Sequence, residues 1–532
     1  MATEENKEYY TAAYTTTITV TTAMTTEEKV ETGSDGMLSH EDGLVRDDTI
    51  IASSIEINEK SDITTAQEYD ENGNKRNFTI SQTEKRLVRK LDFIYVMPFV
   101  AILNFLQFFD KSTLNYAVPM GIQQSTHLTG SQFSWLTSIF YLGYLIFQIP
   151  GTFLIQKLPL NKYVGTLIVL WGLVLLLTFL ARNFSQLAAL RFLLGFFEAG
   201  IYPACVMLIS TLYRRNEQSG RIGIVYICNG LAMIIGGFIS YGVAYMHDNG
   251  LEPWQWIMII LGAITMAFGV ACFFFMVDSP KSKVLRLSAE EERIVEERTE
   301  DNAVVRTRNF KISHIYESLK EPRYYCLLIC SLLITLQNSA LGSFNTTITA
   351  GFGFSKLQSI LLTIPSGAST CIFILIGVYF NRRYGHTLYL ASLFLIVAII
   401  GLILLLVIPA FKVKLLGLIL VWSYCASFVM LLTVVANNVA GYTKKVFYSS
   451  SIMIFYTLGN FIGPFMMVDS QKPLYIGGMI GFIVADFICI LLYMYLRWTM
   501  IRENRRRLAL PAKMEVVNDM TDIENKNYIY RP

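Results

Sequence analysis

From about residue 93 onward this chain is a series of twelve mostly apolar stretches, each roughly 18–25 residues long and separated by short polar punctuation. A helix of about 20 residues crosses the roughly 30 Å of hydrocarbon in a bilayer. In lipid every backbone N–H and C=O has to be bonded within the structure itself. The pattern therefore restricts the fold to an all-α membrane protein. The expected spans are 93–114, 133–156, 163–181, 188–211, 221–246, 255–277, 324–346, 357–380, 387–409, 415–437, 446–468 and 474–496. The alternating strands of a membrane β-barrel are absent from the sequence.

An even number of spans leaves both termini on one side. Connections after spans 2, 4, 8 and 10 carry Lys157 and Lys162, Arg214 and Arg215, Arg382 and Arg383, and Lys444 and Lys445. The opposite loops hold only Arg182, Lys356, Lys412, Lys414 and Lys472. By the bias of Lys and Arg toward the cytosol, both termini are expected there. The long charged connection 278–323, with the helix-start pattern Ser288-x-x-Glu291, divides two six-span halves at 85–277 and 324–497. The Thr- and Ser-rich segment 1–84 is expected to be a disordered cytosolic tail, and 498–532 a second cytosolic tail. The halves echo each other: "FLQFFDKSTLN" and "TLQNSALGSFN" share Leu-Gln and an Asn eight residues after the Gln. A duplicated layout of this kind places a binding site at the midplane between halves.

Several chemistries find no support. Eight cysteines lie scattered over apolar segments without a CxxC pair, which reads as buried filler rather than a disulfide framework or zinc site. No Walker, GxSxG or HExxH pattern occurs, so neither ATP-driven pumping nor an enzyme is indicated. No cofactor, metal or nucleic acid is expected. The expected partners are a small-molecule substrate, protons and the lipid bilayer, with a monomer as the working unit.

The informative residues are charges inside apolar spans. A charged side chain at the bilayer centre costs on the order of 2.5–3.5 kcal/mol, so it faces a partner or a watery cavity. In "ALRFLLGFFEAGIYPACVMLIS", Arg191 and Glu198 are seven residues apart, which on a helix is two turns and nearly one azimuth. Span 1 adds a polar stripe of Asn104, Gln107 and Lys111 with Asp110 at its edge, and span 2 adds Tyr141, Tyr144 and Gln148. The second half offers neutral polar groups, among them Gln337, Asn338 and Asn345, which together with Asn104, Gln107, Tyr141, Tyr144 and Gln148 are expected to line the substrate cavity, and Asp486 is an isolated central acid. On the functional reading, Asp110 and Glu198 carry protons while Lys111 and Arg191 draw in an anionic group. On the structural reading, the same charges pin span 4 to span 1. Gly-rich "NGLAMIIGGFISYG" and "GNFIGP" mark close helix approach, and Pro150, Pro203 and Pro464 are candidate kinks.

At these residues the sequence resembles the major facilitator superfamily, and within it the fungal allantoate permease branch of the anion:cation symporters. The resemblance covers about 85–500 and rests on "FDKSTLN", "RFLLGFFEAGIYP", "YRRNEQSGRIG", "RLSAEEERIVEER", "NNVAGYTKKV" and "LGNFIGP". It implies a twelve-helix proton-coupled permease working by alternating access. It assigns Asp110 and Glu198 to proton coupling, and Arg191 with position 111 to a substrate carboxylate. Position 111 is Lys where the branch usually has Arg, exchanging a bidentate fork for a point charge. The loop "QKLPLNK" lacks the acidic residue of the wider superfamily's gating motif.

The expected function is symport of protons with a small organic anion or carboxylate-bearing nutrient, of the allantoate, vitamin, cysteine or sulfur-compound type, across the plasma membrane. An internal membrane such as the vacuolar one is the alternative location. The alternative functions are a drug:proton antiporter, against which "NGLAMIIGGFISYG" lacks the typical Pro, and a non-transporting nutrient sensor with the same fold.

Overall fold

The computed structural model describes residues 55–57, 63–69, 75–213, 215–246, 250–278, 282–301, 311–509, 520–526 and 528–532. Three antiparallel strands come first: β1 (Ile55–Ile57), β2 (Ile63–Tyr69) and β3 (Lys75–Ser81), with Ile55 opposite Ala66 and Ile63 opposite Ser81. This corrects the expectation of a structureless tail over 1–84. The Ile- and Thr-rich runs have strand propensity that an overall polar composition conceals. Residues 1–54 lie outside the described residues.

Span 1 is entered through α1 (Gln82–Lys90) and a π-helical turn at Leu91–Tyr95, and continues as α2 (Met97–Ala117), with Pro98 in its first turn. A short α3 (Ile122–Ser125) leads to α4 (Gly130–Lys157), which is started by a Thr129–Gln132 capping box. Then follow α5 (Leu160–Leu177), α6 (Phe184–Glu198), α7 (Ile201–Leu212), α8 (Arg215–Val243) and α9 (Pro253–Phe275). The connection between halves folds into α10 (Ala289–Asp301) and α11 (Ile312–Lys320).

The second half comprises α12 (Pro322–Ala350), α13 (Lys356–Leu361), α14 (Thr363–Tyr384), α15 (Thr387–Val407), α16 (Phe411–Val421), α17 (Tyr424–Asn438), α18 (Tyr442–Ile462) and α19 (Ile476–Leu508). Eleven of the helical segments are long and apolar enough to span a bilayer, and the 28-residue α4 completes twelve among the described residues. The expected spans therefore hold, with ends moved by a few residues. The face carrying both ends of the bundle is called here the terminal face, and the opposite one the far face.

Glycines set the closest approaches. A Cβ on Gly143 of α4 would lie 2.1 Å from the Phe192 carbonyl of α6, and one on Gly195 of α6 would lie 1.9 Å from the Phe140 carbonyl of α4. Side chains larger than hydrogen would push these helices apart. Gly459 and Gly463 of "GNFIGP" play the same part against Leu332 and Leu336 of α12.

The connection between halves is divided in allegiance. Helix α10 is capped by the Ser288–Glu291 box and is held to the first half by the Lys90–Glu291 ion pair and a Thr83–Glu290 hydrogen bond. Helix α11 packs on α18 and α12. Within the expected tail from 498, α19 continues to Leu508, since the sequence holds no helix breaker before Pro511, and residues 520–526 and 528–532 return to the terminal face.

Candidate functional site

The span carrying Arg191 and Glu198 is two helices, α6 and α7, parted at Ala199 and Gly200. Pro203 has no N–H to give the carbonyl four residues earlier, so the ladder opens one turn before it. Glu198 thus ends α6 in the middle of the first half, fully buried. Its carboxylate faces α2, where Lys111 Nζ lies 2.7 Å from Glu198 Oε1. The Lys111 side chain is 25% exposed and Glu198 is 0% exposed, so solvent reaches part of the lysine side chain and none of the carboxylate. Phe140 and Tyr144 of α4 hold the ammonium over their rings at 5.7 Å each. Gln107 lies one turn before Lys111, beside the Glu198 carboxyl.

Asp110 projects away from Lys111, into the first half. It is fully buried and accepts a 2.6 Å hydrogen bond from Trp171 Nε1 of α5 on Oδ2. Arg191 is buried and has Asp110, Glu198 and Tyr141 as its charged and phenolic neighbours. Asp110 Oδ1 and Arg191 Nη2 make no hydrogen bond, so this pocket keeps an acceptor and a donor with spare capacity. Asn104 donates to the Val100 carbonyl of its own helix and touches Cys205 of α7, which makes it a packing residue of α2. Gln148 is partly exposed on α4, on the face that also carries Tyr141 and Tyr144.

The second half contributes a neutral wall. Asn338 of α12 donates to Asn460 of α18 at 2.7 Å and accepts from the Tyr424 hydroxyl of α17 at 2.9 Å. Asn460 in turn donates to the Tyr456 carbonyl. Tyr456 is the cross-cavity neighbour of Lys111, Glu198 and the tyrosines of the first half, and sequence reasoning missed it. Its helix offers many aromatic residues, and only the three-dimensional pairing of α18 with α12 singles out this one. The Tyr202 and Tyr226 hydroxyls, 2.8 Å apart, extend the phenolic lining of the first half.

Two expected cavity residues lie elsewhere. Gln337 points to α19, where its amide donates to Asp486 Oδ1 at 3.0 Å, both groups being buried. It directly precedes Asn338, and that one-residue step of about 100° turns it toward α19 instead. Asn345 lies near the far-face end of α12, with Ser366 and Thr349 as its hydrogen-bond partners. All eight cysteines are free.

At the far face the halves are sealed together. Thr346 of α12 donates its backbone N–H to Asn115 Oδ1 at 2.9 Å, and its hydroxyl is shared between the Asn115 carbonyl at 2.8 Å and Oδ1 at 2.9 Å. Phe133 packs edge-on against Phe344 at 5.1 Å and Trp135 against Phe465 at 4.8 Å. Within the first half, the Tyr116 hydroxyl of α2 donates to the Met233 carbonyl of α8. At the terminal face Arg221 pairs with Asp92 within the first half, and Lys444 pairs with Glu317 on the second.

Comparison with known proteins agrees with this architecture. The Major Facilitator Superfamily sequence profile matches residues 100–464. The chain is 33% identical over 466 residues to the Thiamine pathway transporter THI73 of Saccharomyces cerevisiae, covering 86% of this chain and 88% of that one. It is 29% identical over 473 residues to the Allantoate permease of the same yeast, covering 84% and 87%. Among solved structures, a bacterial homolog of the human lysosomal transporter Spinster, in an inward-facing and unoccupied conformation, superposes with a TM-score of 0.59 at 15% identity, over 76% of this chain and 97% of that one. The profile match over most of the bundle, with a transporter relative 33% identical over 86% of the chain, establishes that the chain is a transporter of the major facilitator superfamily.

Proposed function

We propose that this transporter is a proton-coupled symporter that imports a small carboxylate-bearing nutrient by alternating access. The observation that carries the reading is the unequal exposure of the Lys111–Glu198 pair. A ligand arriving between the halves meets the Lys111 side chain first, because that side chain is 25% exposed and the carboxylate behind it is 0% exposed. An anionic group is therefore the natural competitor for Lys111. Once Lys111 turns to the substrate, Glu198 is left as a buried carboxylate without its counter-charge, a state relieved by binding a proton. Anion and proton thus load together, which is the coupling symport needs.

Arg191 and Asp110 support the same reading, since each keeps an unused hydrogen-bonding atom in the adjoining pocket. The neutral wall of Asn338, Asn460, Tyr424 and Tyr456 suits the uncharged part of the substrate. The sealed far face corresponds to a carrier open toward the terminal face, which we take as cytosolic in the plasma membrane. The relatives named for the thiamine pathway and for allantoate suggest an organic nutrient.

The test is uptake of radiolabelled carboxylated nitrogen, sulfur and vitamin compounds, allantoate included, into proteoliposomes under an imposed proton gradient. Glu198→Gln is expected to abolish accumulation against the gradient while substrate counterflow persists. Concentrative uptake by this variant at the unmodified rate would overturn the assignment.

A further inference from the structure

The motif "NNVAGYTKKV" plays no part in the transport reading, yet the structure gives it a dense set of partners at the terminal face. Lys444 is 0% exposed, although its neighbour Lys445 and the loop around it suggest an ordinary surface cation. Its ammonium lies 2.8 Å from Glu317 Oε1 of α11 and 2.7 Å from Asp522 Oδ1, and it pairs with Glu321 as well. Those three carboxylates are close enough together to suggest a metal site, but the ammonium of Lys444 already fills the place of a cation.

Asp522 belongs to the returning segment 520–532. Besides Lys444 it binds Arg323 of α12 at 2.9 Å and accepts from the Tyr530 hydroxyl at 2.8 Å. Arg507 of α19 donates from one nitrogen to the carbonyls of Asp522, Asn525 and Tyr528. Asn438 of α17 makes a two-point pair with the backbone of Arg531, and Asn504 makes another with Tyr530. The Tyr528 hydroxyl donates to the Asn437 carbonyl. Within this cluster Lys444, Arg323 and Arg507 meet Glu317, Glu321, Glu503 and Asp522. Without the segment, Lys444 and Arg323 would each lose a carboxylate partner, and Lys444 would be a buried charge with one partner fewer.

We propose that the terminal face of the second half is a docking site whose occupant is the chain's own segment 520–532, held there as a clamp with Asp522 as its key residue. The partners named above come from the ends of α11, α12, α17, α18 and α19, all on one half. Seating the segment therefore ties that half into one rigid body and leaves the two halves free to rock against each other. A lock on the transport cycle would need partners on the first half.

The experiment uses the full-length protein with a protease site placed between residues 512 and 516, cut after folding and purification. The released segment is expected to co-elute with the transporter on size exclusion and to exchange only slowly with an excess of a fluorescein-labelled peptide of residues 519–532. Asp522→Asn is expected to speed that exchange at least tenfold and to lower the thermal midpoint of the cut protein. Tyr530→Phe, which removes only one hydroxyl from the cluster, serves as the milder second variant, with an expected threefold to tenfold effect. Immediate loss of the unmodified segment after cutting would overturn the proposal. So would unchanged exchange in Tyr530→Phe, whatever the fate of Asp522→Asn.

Discussion

Lys111 and Glu198 form an ion pair at 2.7 Å in which the lysine side chain is a quarter exposed and the glutamate side chain not at all. The two ends of one interaction therefore have different reference states. Removing Lys111 strands a carboxylate that no solvent reaches, whereas removing Glu198 leaves an ammonium that the cavity can hydrate and that two aromatic faces still support.

This asymmetry predicts an order of stability. Lys111→Met is expected to cost about 3–5 kcal/mol, the usual penalty for breaking a buried pair on one side. Glu198→Gln should cost less, about 1–3 kcal/mol, the range for a single unsatisfied partner. The double variant should recover much of the Lys111→Met loss, because no buried charge remains. Thermal unfolding of the purified proteins checks the order; Glu198→Gln proving the more damaging single change would contradict it.

Asp110 raises the question of a structural against a coupling role, and Trp171 separates them. The indole is its hydrogen-bond donor at 2.6 Å, so Trp171→Phe leaves both carboxylate oxygens without a hydrogen bond. A loss of about 1–3 kcal/mol is expected. Asp110→Asn in the Trp171→Phe background should restore stability, since a neutral amide is easier to bury. If Asp110 also carries protons, that stabilised double variant will transport by counterflow without accumulating substrate. Full accumulation would leave Asp110 only its packing role.

Much of this was readable in the chain. The spans followed from length and hydropathy alone, because lipid leaves the backbone no alternative to a helix. The Arg191–Glu198 spacing and the stripe ending in Lys111 were legible because each lies on a single helix, where sequence distance is angular distance. Pairings between helices were not. Gln337 and Asn338 are adjacent in sequence, and only the packing of α12 between α18 and α19 decides which of them meets the cavity. Tyr456 and the burial of Lys444 were hidden for the same reason: both depend on contacts more than 70 residues away in sequence. The strands before α1 were hidden by averaging composition over a polar tail.

The two dockings at the terminal face should tolerate mild acid. Burial opposes the charge on Asp522, but Lys444 and Arg323 outweigh it and hold the carboxyl below its ordinary range. Glu291 is also desolvated, yet hydrogen bonds from Lys90 and Ser288 bring its carboxyl below the usual value. A carboxyl lowered in the folded state contributes stability that is present above its unfolded value of about 4 and lost only as pH falls through the lowered one. Hydrogen exchange across α10 and 520–532 is accordingly expected to be unchanged, after correction for intrinsic rates, between pH 7.5 and pH 5.5. Loosening of either segment within that window would show that its carboxylate does not hold it.

The far-face seal should be adjustable through Asn115. Its side-chain oxygen takes the backbone N–H of Thr346 and shares the Thr346 hydroxyl, so the seal joins the repeated Asn of the first half to the residue after the repeated Asn of the second. Asn115→Ala removes the oxygen that accepts from both the Thr346 N–H and the Thr346 hydroxyl, about 1–3 kcal/mol against the closed far face, or a shift of roughly 5- to 150-fold in population. Thr346→Val keeps that N–H bond and removes only the hydroxyl, so its effect should be smaller. Cys371 is a native reporter, because its thiol packs across the same interface onto Ile227 and Gly230 of α8. Modification of Cys371 by a maleimide supplied at the far face, followed by mass spectrometry, should quicken in Asn115→Ala, less so in Thr346→Val, and no further in the double variant than the two changes together predict. Equal labelling in all four proteins would mean that the aromatic pairs Phe133–Phe344 and Trp135–Phe465 hold the far face shut without help from Asn115.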